Sequence, residues 1–208
     1  MALSLVQEPP SPSFPTLFVA PLLTTESDLK ATSLHTRSAQ LEDAPSIHQL
    51  IDSCTYDGTL LRRSYVEICE NIRTFTIVED SSSNFIGCAA LHIYGQHLAE
   101  IRSIVVNPET KRHGAGSLLV RALLDQAEAR GIKCVCLFTR IPAFFEHFHF
   151  RIAEHQALRD KVMKDCIRCA RRNACDEIAM YRGTLPKSLG PRRPQGARDY
   201  VPLASLQM

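Results

Sequence analysis

The stretch Lys111-Arg-His-Gly-Ala-Gly116 joins a lysine, an arginine and a histidine to two glycines one residue apart. It follows an apolar run that ends at Asn107-Pro108, and it precedes an amphipathic run that begins at Ser117-Leu-Leu. Glycines let backbone approach a ligand closely. The first amides of a helix are unpaired, point outward and carry the positive end of the helix dipole. Lys111, Arg112 and His113 add side-chain charge, and Gly114, Ala115, Gly116 and Ser117 add amides, so the chemistry on offer is anion binding. The Gly-Lys-Ser/Thr ending of a P-loop is missing. The glycine spacing and the lack of a later acid for a ribose exclude a dinucleotide fingerprint. A tight turn is the plain alternative.

A second constellation is Cys166-Ile-Arg-Cys169, followed by Cys175. C-x2-C is a metal knuckle; a third cysteine close behind, with His155 or Cys54 as fourth ligand, describes a structural zinc. Buried thiols or a redox pair are the competing readings. Cys134 and Cys136 share one face of an apolar run and, with Cys88, read as core residues.

These residues need elements to position them. Residues 34–40 read as a strand. Asp43 is placed to cap a helix to about Cys54, with Ile47, Leu50 and Ile51 on one face. Ser64-Tyr-Val-Glu67 is a capping-box signature that starts a helix to about Arg73. Strands are expected over 75–78, 85–94 and 98–106. A long helix follows the glycine loop, with Leu118, Leu119, Ala122, Leu123 and Ala127 on one face and Gly131 as its stop. Residues 132–138 suit a buried central strand, Pro142 opens a short helix to about Phe148, and residues 177–182 form the last strand. This order predicts a mixed α/β sheet with helices on both faces. Nine of the twelve prolines lie outside the middle of the chain, so 1–33 and 184–208 read as disordered arms around one domain, 34–183.

Composition narrows the classes. The chain has 208 residues, 45% of them hydrophobic, and a formal net charge of +2. That is enough chain for one core, and the charge is not the footprint of a nucleic-acid binder. No apolar run approaches the ~20 residues of a membrane span. The first basic side chain is Lys30, so no charged segment precedes an apolar signal, and eight cysteines then suggest reduced thiols in the cytoplasm.

Strand, glycine loop, long helix, buried strand and a short helix with an aromatic pair, Phe144-Phe145, follow one another. This order resembles the GNAT N-acetyltransferase superfamily, whose Gln/Arg-x-x-Gly-x-Gly/Ala signature stands here as Lys111 to Gly116, with Lys at its first position. Gly58-Thr-Leu-Leu-Arg-Arg-Ser64, Phe75-Thr-Ile-Val-Glu79, Gly87-Cys-Ala-Ala-Leu91, Ala99-Glu100, Leu137-Phe-Thr-Arg140, Phe144-Phe-Glu146 and Phe150 are similar to the acetyltransferase domain of N-acetylglutamate synthases. The resemblance spans about residues 36–183. It implies a mostly antiparallel sheet flanked by helices, in a short form without the amino-acid kinase domain that many such synthases carry.

The resemblance further implies acetyl transfer from acetyl-CoA to an amino acid, L-glutamate first, as in arginine biosynthesis. Backbone of Ile104, Val105 and Val106 is expected to pair with the pantetheine chain, and the loop from Lys111 to Ser117 to take the pyrophosphate. An ammonium must lose its proton before it attacks a thioester. Glu100, fourteen residues before Gly114, sits in the register of the superfamily's strand base. An amide near Ile104 or Val105 is expected to stabilise the oxyanion. Bidentate arginines suit the carboxylates of the acceptor. Arg62 matches a substrate arginine of the synthases, and Arg102 and Arg140 are further candidates. Three positions depart from the family. Phe145 replaces a frequent tyrosine acid, His149-Phe150 stands for Gly-Phe, and Asn173-Ala-Cys-Asp176 stands where many synthases have Arg-x-Ser.

Two rival readings follow from those departures. One is an acetyltransferase for another amine, such as a different amino acid, a polyamine or a protein N-terminus. The other is a non-catalytic regulatory module with the cysteine knuckle as a metal-stabilised contact surface. A homodimer formed by strand exchange or edge pairing is compatible with either.

Overall fold

The computed structural model describes residues 33–55, 60–108 and 114–186. Of the arms expected over 1–33 and 184–208, all but Ser33 and 184–186 lie outside these residues, and so do Lys111, Arg112 and His113.

The strands are β1 (His35–Ser38), β2 (Phe75–Glu79), β3 (Phe85–Gly95), β4 (Leu98–Val106), β5 (Cys134–Thr139), β6 (Arg151–Ile152) and β7 (Ile178–Gly183). The α-helices are α1 (Ala44–Ser53), α2 (Tyr65–Glu70), α3 (Ala115–Ala129), α4 (Pro142–Glu146) and α5 (Arg159–Lys164). The strands form one sheet in the order β1-β2-β3-β4-β5-β7-β6. Only β4 and β5 run parallel, so the sheet is mixed and mostly antiparallel.

Period-2 alternation sorts the strand residues between two layers. On one face Leu119, Val120, Leu123 and Ala127 of α3 pack against Val78, Ala89, Leu91, Ala99, Ile101, Val135 and Leu137. On the other, Ile47 and Ile51 of α1 and Ile68 of α2 meet Phe75, Ile77, Cys88 and Ala90. Burying each such side chain contributes about 1.5–3 kcal/mol. Cys134 and Cys136 face a smaller cluster with Leu98 and Leu158, as core residues do.

The local signals held in part. Ser64 Oγ accepts from the Glu67 amide at 3.1 Å, but the Glu67 carboxylate turns to Arg63 instead of closing the box. Asp43 stands at the start of α1 without capping it. Its carboxylate instead holds Arg37 through two bonds of 2.7 and 2.9 Å. Gly131 ends α3 at a φ of 67°. The sequence reading did not foresee β6 or α5. β6 is two exposed residues, and α5 buries none of its six, so neither has an apolar stripe to read.

Gly183 tests how closely β7 and β5 approach. Its φ is 97°, and a Cβ built there lies 2.3 Å from the Lys133 carbonyl oxygen. Left-handed strain and overpacking together put Gly183→Ala at about 2–4 kcal/mol destabilised. The expected fall in Tm is roughly 5–15 °C. A melting curve superimposed on that of the parent chain would show that the strands yield freely.

Candidate active site

β4 and β5 are in register only at Ala99↔Val135 and Glu100↔Cys136. Beyond Glu100 no described strand pairs with that edge of β4, and a cleft of about 300 Å³ opens there. Its walls include Arg63, Glu100, Arg102, Arg140, Phe145 and Lys161. A shallower hollow of about 680 Å³ lies by the C-terminal turns of α3 and holds none of the expected site residues.

A bulge shapes β4 beside the cleft. From Ala90↔Arg102 to Cys88↔Val105, three steps along β4 face two along β3. Ser103 takes up the extra residue at a φ of 53°, a left-handed conformation that costs a non-glycine residue about 1–2 kcal/mol. Arg63 Nε donates to Ser103 Oγ at 2.8 Å and braces it. One inserted residue reverses the alternation. Val105 therefore joins the α1–α2 layer, while Ile104 and Val106 turn to the α3 layer.

Glu100 is 3% exposed and has two donors. Lys161 Nζ lies 2.7 Å from its Oε1, and the Tyr94 hydroxyl lies 2.8 Å from its Oε2. Both partners also reach Asp165 Oδ2, Tyr94 at 2.7 Å and Lys161 at 3.1 Å. Arg102 Nη1 stands 3.7 Å from the same oxygen. Burial lowers the proton affinity of the Lys161 amine, but Glu100 and Asp165 together outweigh it and hold the ammonium above its usual range. Burial works against ionised Asp165, yet the Tyr94 and Lys161 donors prevail and keep it below the usual carboxylate range. Burial and then the Glu100 charge push the Tyr94 phenol far up.

Two of these groups escaped the sequence reading for local reasons. Tyr94 is the extra residue of a second bulge, where Ile93↔Ala99 is followed by Gly95↔Leu98. Lys161 comes from α5. Fully buried Leu158 anchors the start of that helix beside Leu98 and Cys136. A bulge and a six-residue polar helix leave almost no periodic signal.

The arginines divide in an unexpected way. Arg62, the expected substrate arginine, is 75% exposed and bound to Asp52 of α1 at 3.0 Å. Its neighbour Arg63, 18% exposed, is the one on the cleft wall. Arg102 and Arg140 also line the cleft. Arg140 is clamped by Asp176 through bonds of 2.7 and 2.9 Å, so that fork is already filled.

The described part of the glycine loop begins at Gly114 and runs into α3. Gly114 has a φ of 79°, and a Cβ there would meet nothing within 4 Å among the described residues. A Cβ on Gly116 would make only ordinary contacts, the nearest with Phe144 at 3.5 Å. Among the described residues, packing therefore demands a bare backbone at neither position beyond the φ of Gly114. The 15-residue helix α3 starts here without a side-chain cap, and its first intrahelical bond is Leu118 N–H to Gly114 O at 3.0 Å. The amides of Ala115, Gly116 and Ser117 precede that bond. The aromatic pair Phe144-Phe145 packs edge to face at 4.9 Å and brings no phenol.

The zinc expectation is corrected. Among the described residues no three His, Cys, Asp or Glu side chains gather in a metal-holding group. Cys166 and Cys169 flank one 3-10 turn, Cys175 follows another, and all three are free thiols. His155, offered as a fourth ligand, instead has Nε2 2.9 Å from the Glu177 carbonyl oxygen. His149 is exposed and has a φ of 63°, the left-handed conformation in which a glycine is unstrained. No described helix is long and apolar enough to cross a membrane.

His92, beside this network, predicts a pH dependence. Burial, then the Arg102 and Lys164 charges, push its imidazole down to about 4. Lys164 Nζ donates to neutral Nε2 at 2.9 Å. The unfolded chain takes up this proton near pH 6.5 and the folded chain only near 4, so stability should fall as pH drops between those values. The ring is half solvated, which limits the loss to about 1 kcal/mol. Urea titrations should show this slope, and His92→Gln should flatten it.

The family model "Acetyltransferase (GNAT) family" matches residues 44–150. The chain is 36% identical over 146 residues to an uncharacterized N-acetyltransferase of Chlorobaculum tepidum, covering 70% of this chain and 94% of that one. It is 33% identical to an amino-acid acetyltransferase of Mycobacterium tuberculosis, covering 64% and 76%. The fold is similar to the crystal structure of N-acetylglutamate synthase from Neisseria gonorrhoeae complexed with coenzyme A and N-acetyl-glutamate, at a TM-score of 0.63 and 26% identity. That match covers 74% of this chain and only 36% of the synthase.

Proposed function

Because the chain belongs to the acetyltransferase (GNAT) family, we propose that it acetylates the α-amine of an amino acid, L-glutamate before others, as in arginine biosynthesis. The observation that carries this reading is Glu100, buried on a floor of mixed charge where β4 and β5 part, with Arg63 on the wall above it. The synthase and amino-acid acetyltransferase relatives support the substrate class.

Acetyl-CoA supplies the acetyl thioester. Its diphosphate suits the amides of Ala115 to Ser117, and its pantetheine suits the unpaired edge of β4 toward Val106. Glu100 takes the proton from the acceptor's ammonium, since an uncharged amine is the nucleophile. Arg63, with Nε on Ser103 and Nη1 on Glu67, offers its remaining N–H donors to the α-carboxylate and directs the amine toward Glu100. The backbone beside the Ser103 bulge offers an amide to negative charge growing on the thioester oxygen. Phe145 closes the cleft to water.

A second reading rests on Arg140. Its clamp by Asp176 removes one cation that a side-chain carboxylate would need. That favours an acceptor with a single carboxylate. Release of free thiol from acetyl-CoA, run against the twenty amino acids, tests both readings. Release that depends on glutamate supports the first. Release with a monocarboxylic amino acid alone overturns glutamate and keeps the chemistry. Release with none of the twenty overturns the proposal.

A further inference from the structure

A phenol has one hydrogen, and Tyr94 has two carboxylate oxygens within hydrogen-bond distance. Glu100 Oε2 is 2.8 Å away and Asp165 Oδ2 is 2.7 Å away. With both carboxyls ionised, the hydroxyl satisfies only one of these contacts at a time. The second contact becomes a hydrogen bond when one more proton enters the chain of three oxygens. On the reading that Glu100 is the base, that extra proton is the one it takes from the acceptor. We propose that Tyr94 and Asp165 form a built-in proton exit from Glu100 to solvent.

The step balances without a co-reactant. The acceptor's N–H bond breaks and its proton goes to Glu100. The O–H bond of protonated Glu100 breaks and its proton moves to the Tyr94 oxygen as the phenolic hydrogen passes to Asp165. Glu100 is then a carboxylate again, Tyr94 is a phenol again, and Asp165 holds the proton. The Asp165 side chain is 28% exposed against 4% for Glu100, so Asp165 is the member that can hand the proton to water.

The surroundings suit a chain through which a proton passes. Lys161 donates to both carboxylates, and Arg102 stands 3.7 Å from Asp165, so two cations face two anions. Neutral His92 meets the Tyr94 ring edge to face at 4.8 Å, and Lys164 Nζ stands 5.5 Å over that ring. The β3 bulge beside the β3–β4 turn is what places Tyr94 at Glu100. Tyr94 and Asp165 act through Glu100 and are positioning residues in this scheme.

The test is steady-state turnover of Tyr94→Phe and Asp165→Asn from pH 6 to 9, with and without imidazole as a mobile base. Each variant is expected to lose at least about tenfold in kcat near pH 7, with both KM values within about twofold. The deficit should shrink toward pH 9, where the free amine is more abundant, and imidazole should restore part of it. Tyr94→Phe keeps the ring and its contact with His92, and Asp165→Asn keeps a carbonyl acceptor for Lys161. Parent kcat in either variant overturns the exit, and so does a deficit that neither pH nor imidazole changes. Glu100→Gln run in parallel separates the two readings. If it is inert while Tyr94→Phe and Asp165→Asn turn over normally, only the exit falls. If it is fully active, the base falls and the exit with it.

Discussion

Glu100→Gln is expected to lower kcat by about 10²–10⁴-fold near pH 7 while acetyl-CoA binds as before. The amide has the size of the carboxylate and still accepts from Tyr94 through its carbonyl oxygen, but it cannot take a proton. It also leaves Lys161, now facing an NH₂ group or a neutral oxygen, with Asp165 as its remaining anion. Some loss of stability is therefore expected, and a melt must accompany the kinetics. The two effects separate by pH, because a missing base is felt less as the acceptor's own amine deprotonates, whereas a loosened fold is not repaired. Acetyl-CoA affinity, read by calorimetry, should stay within about twofold, since the proposed diphosphate site lies at the start of α3 and not at Glu100. Turnover equal to that of the parent at pH 7 would remove Glu100 as the base.

The second large effect is at the adjacent arginines. Arg63→Ala should raise KM for the amino acid by about 30- to 1,000-fold at saturating acetyl-CoA, the equivalent of about 2–4 kcal/mol for removing a largely buried cation that Glu67 and Ser103 hold toward the acceptor carboxylate. It also unbraces Ser103, so a smaller fall in kcat should accompany it. Arg63→Lys keeps the charge and loses the fork, and should fall between the two. Arg62→Ala should change KM by no more than about threefold, because its pair with Asp52 is exposed and such pairs contribute about 0–1 kcal/mol. The reverse ranking, with Arg62 sensitive and Arg63 silent, would return the role to the residue that motif matching favours.

That contrast shows where reading along the chain stops. Leu-Leu-Arg-Arg-Ser64 puts two guanidiniums side by side, and nothing in their order says which one turns inward. The choice falls to Leu60 packing on the α1–α2 layer and to the bulge that offers Ser103 to Arg63. The cysteine knuckle is a similar case. Its spacing is right for a metal, but the cysteines sit on two separate 3-10 turns and no group of three metal-ligating side chains forms among the described residues.

The sequence alone determined the order of the main elements, the strand–loop–helix–strand succession of β4, α3 and β5, the two packing faces and the glycine entry to α3. The elements, the faces and the glycine entry rest on local periodicity and on backbone demands that neighbouring residues express. Glu100 was singled out differently, by its register in the resemblance to the GNAT superfamily. The tertiary structure decided which charges meet. Tyr94, Glu100, Lys161 and Asp165 are spread over about seventy residues and converge only because β3 bulges, β4 and β5 part, and Leu158 pins α5 beneath them. No local pattern encodes such a meeting, because each contact depends on distant strands arriving in register.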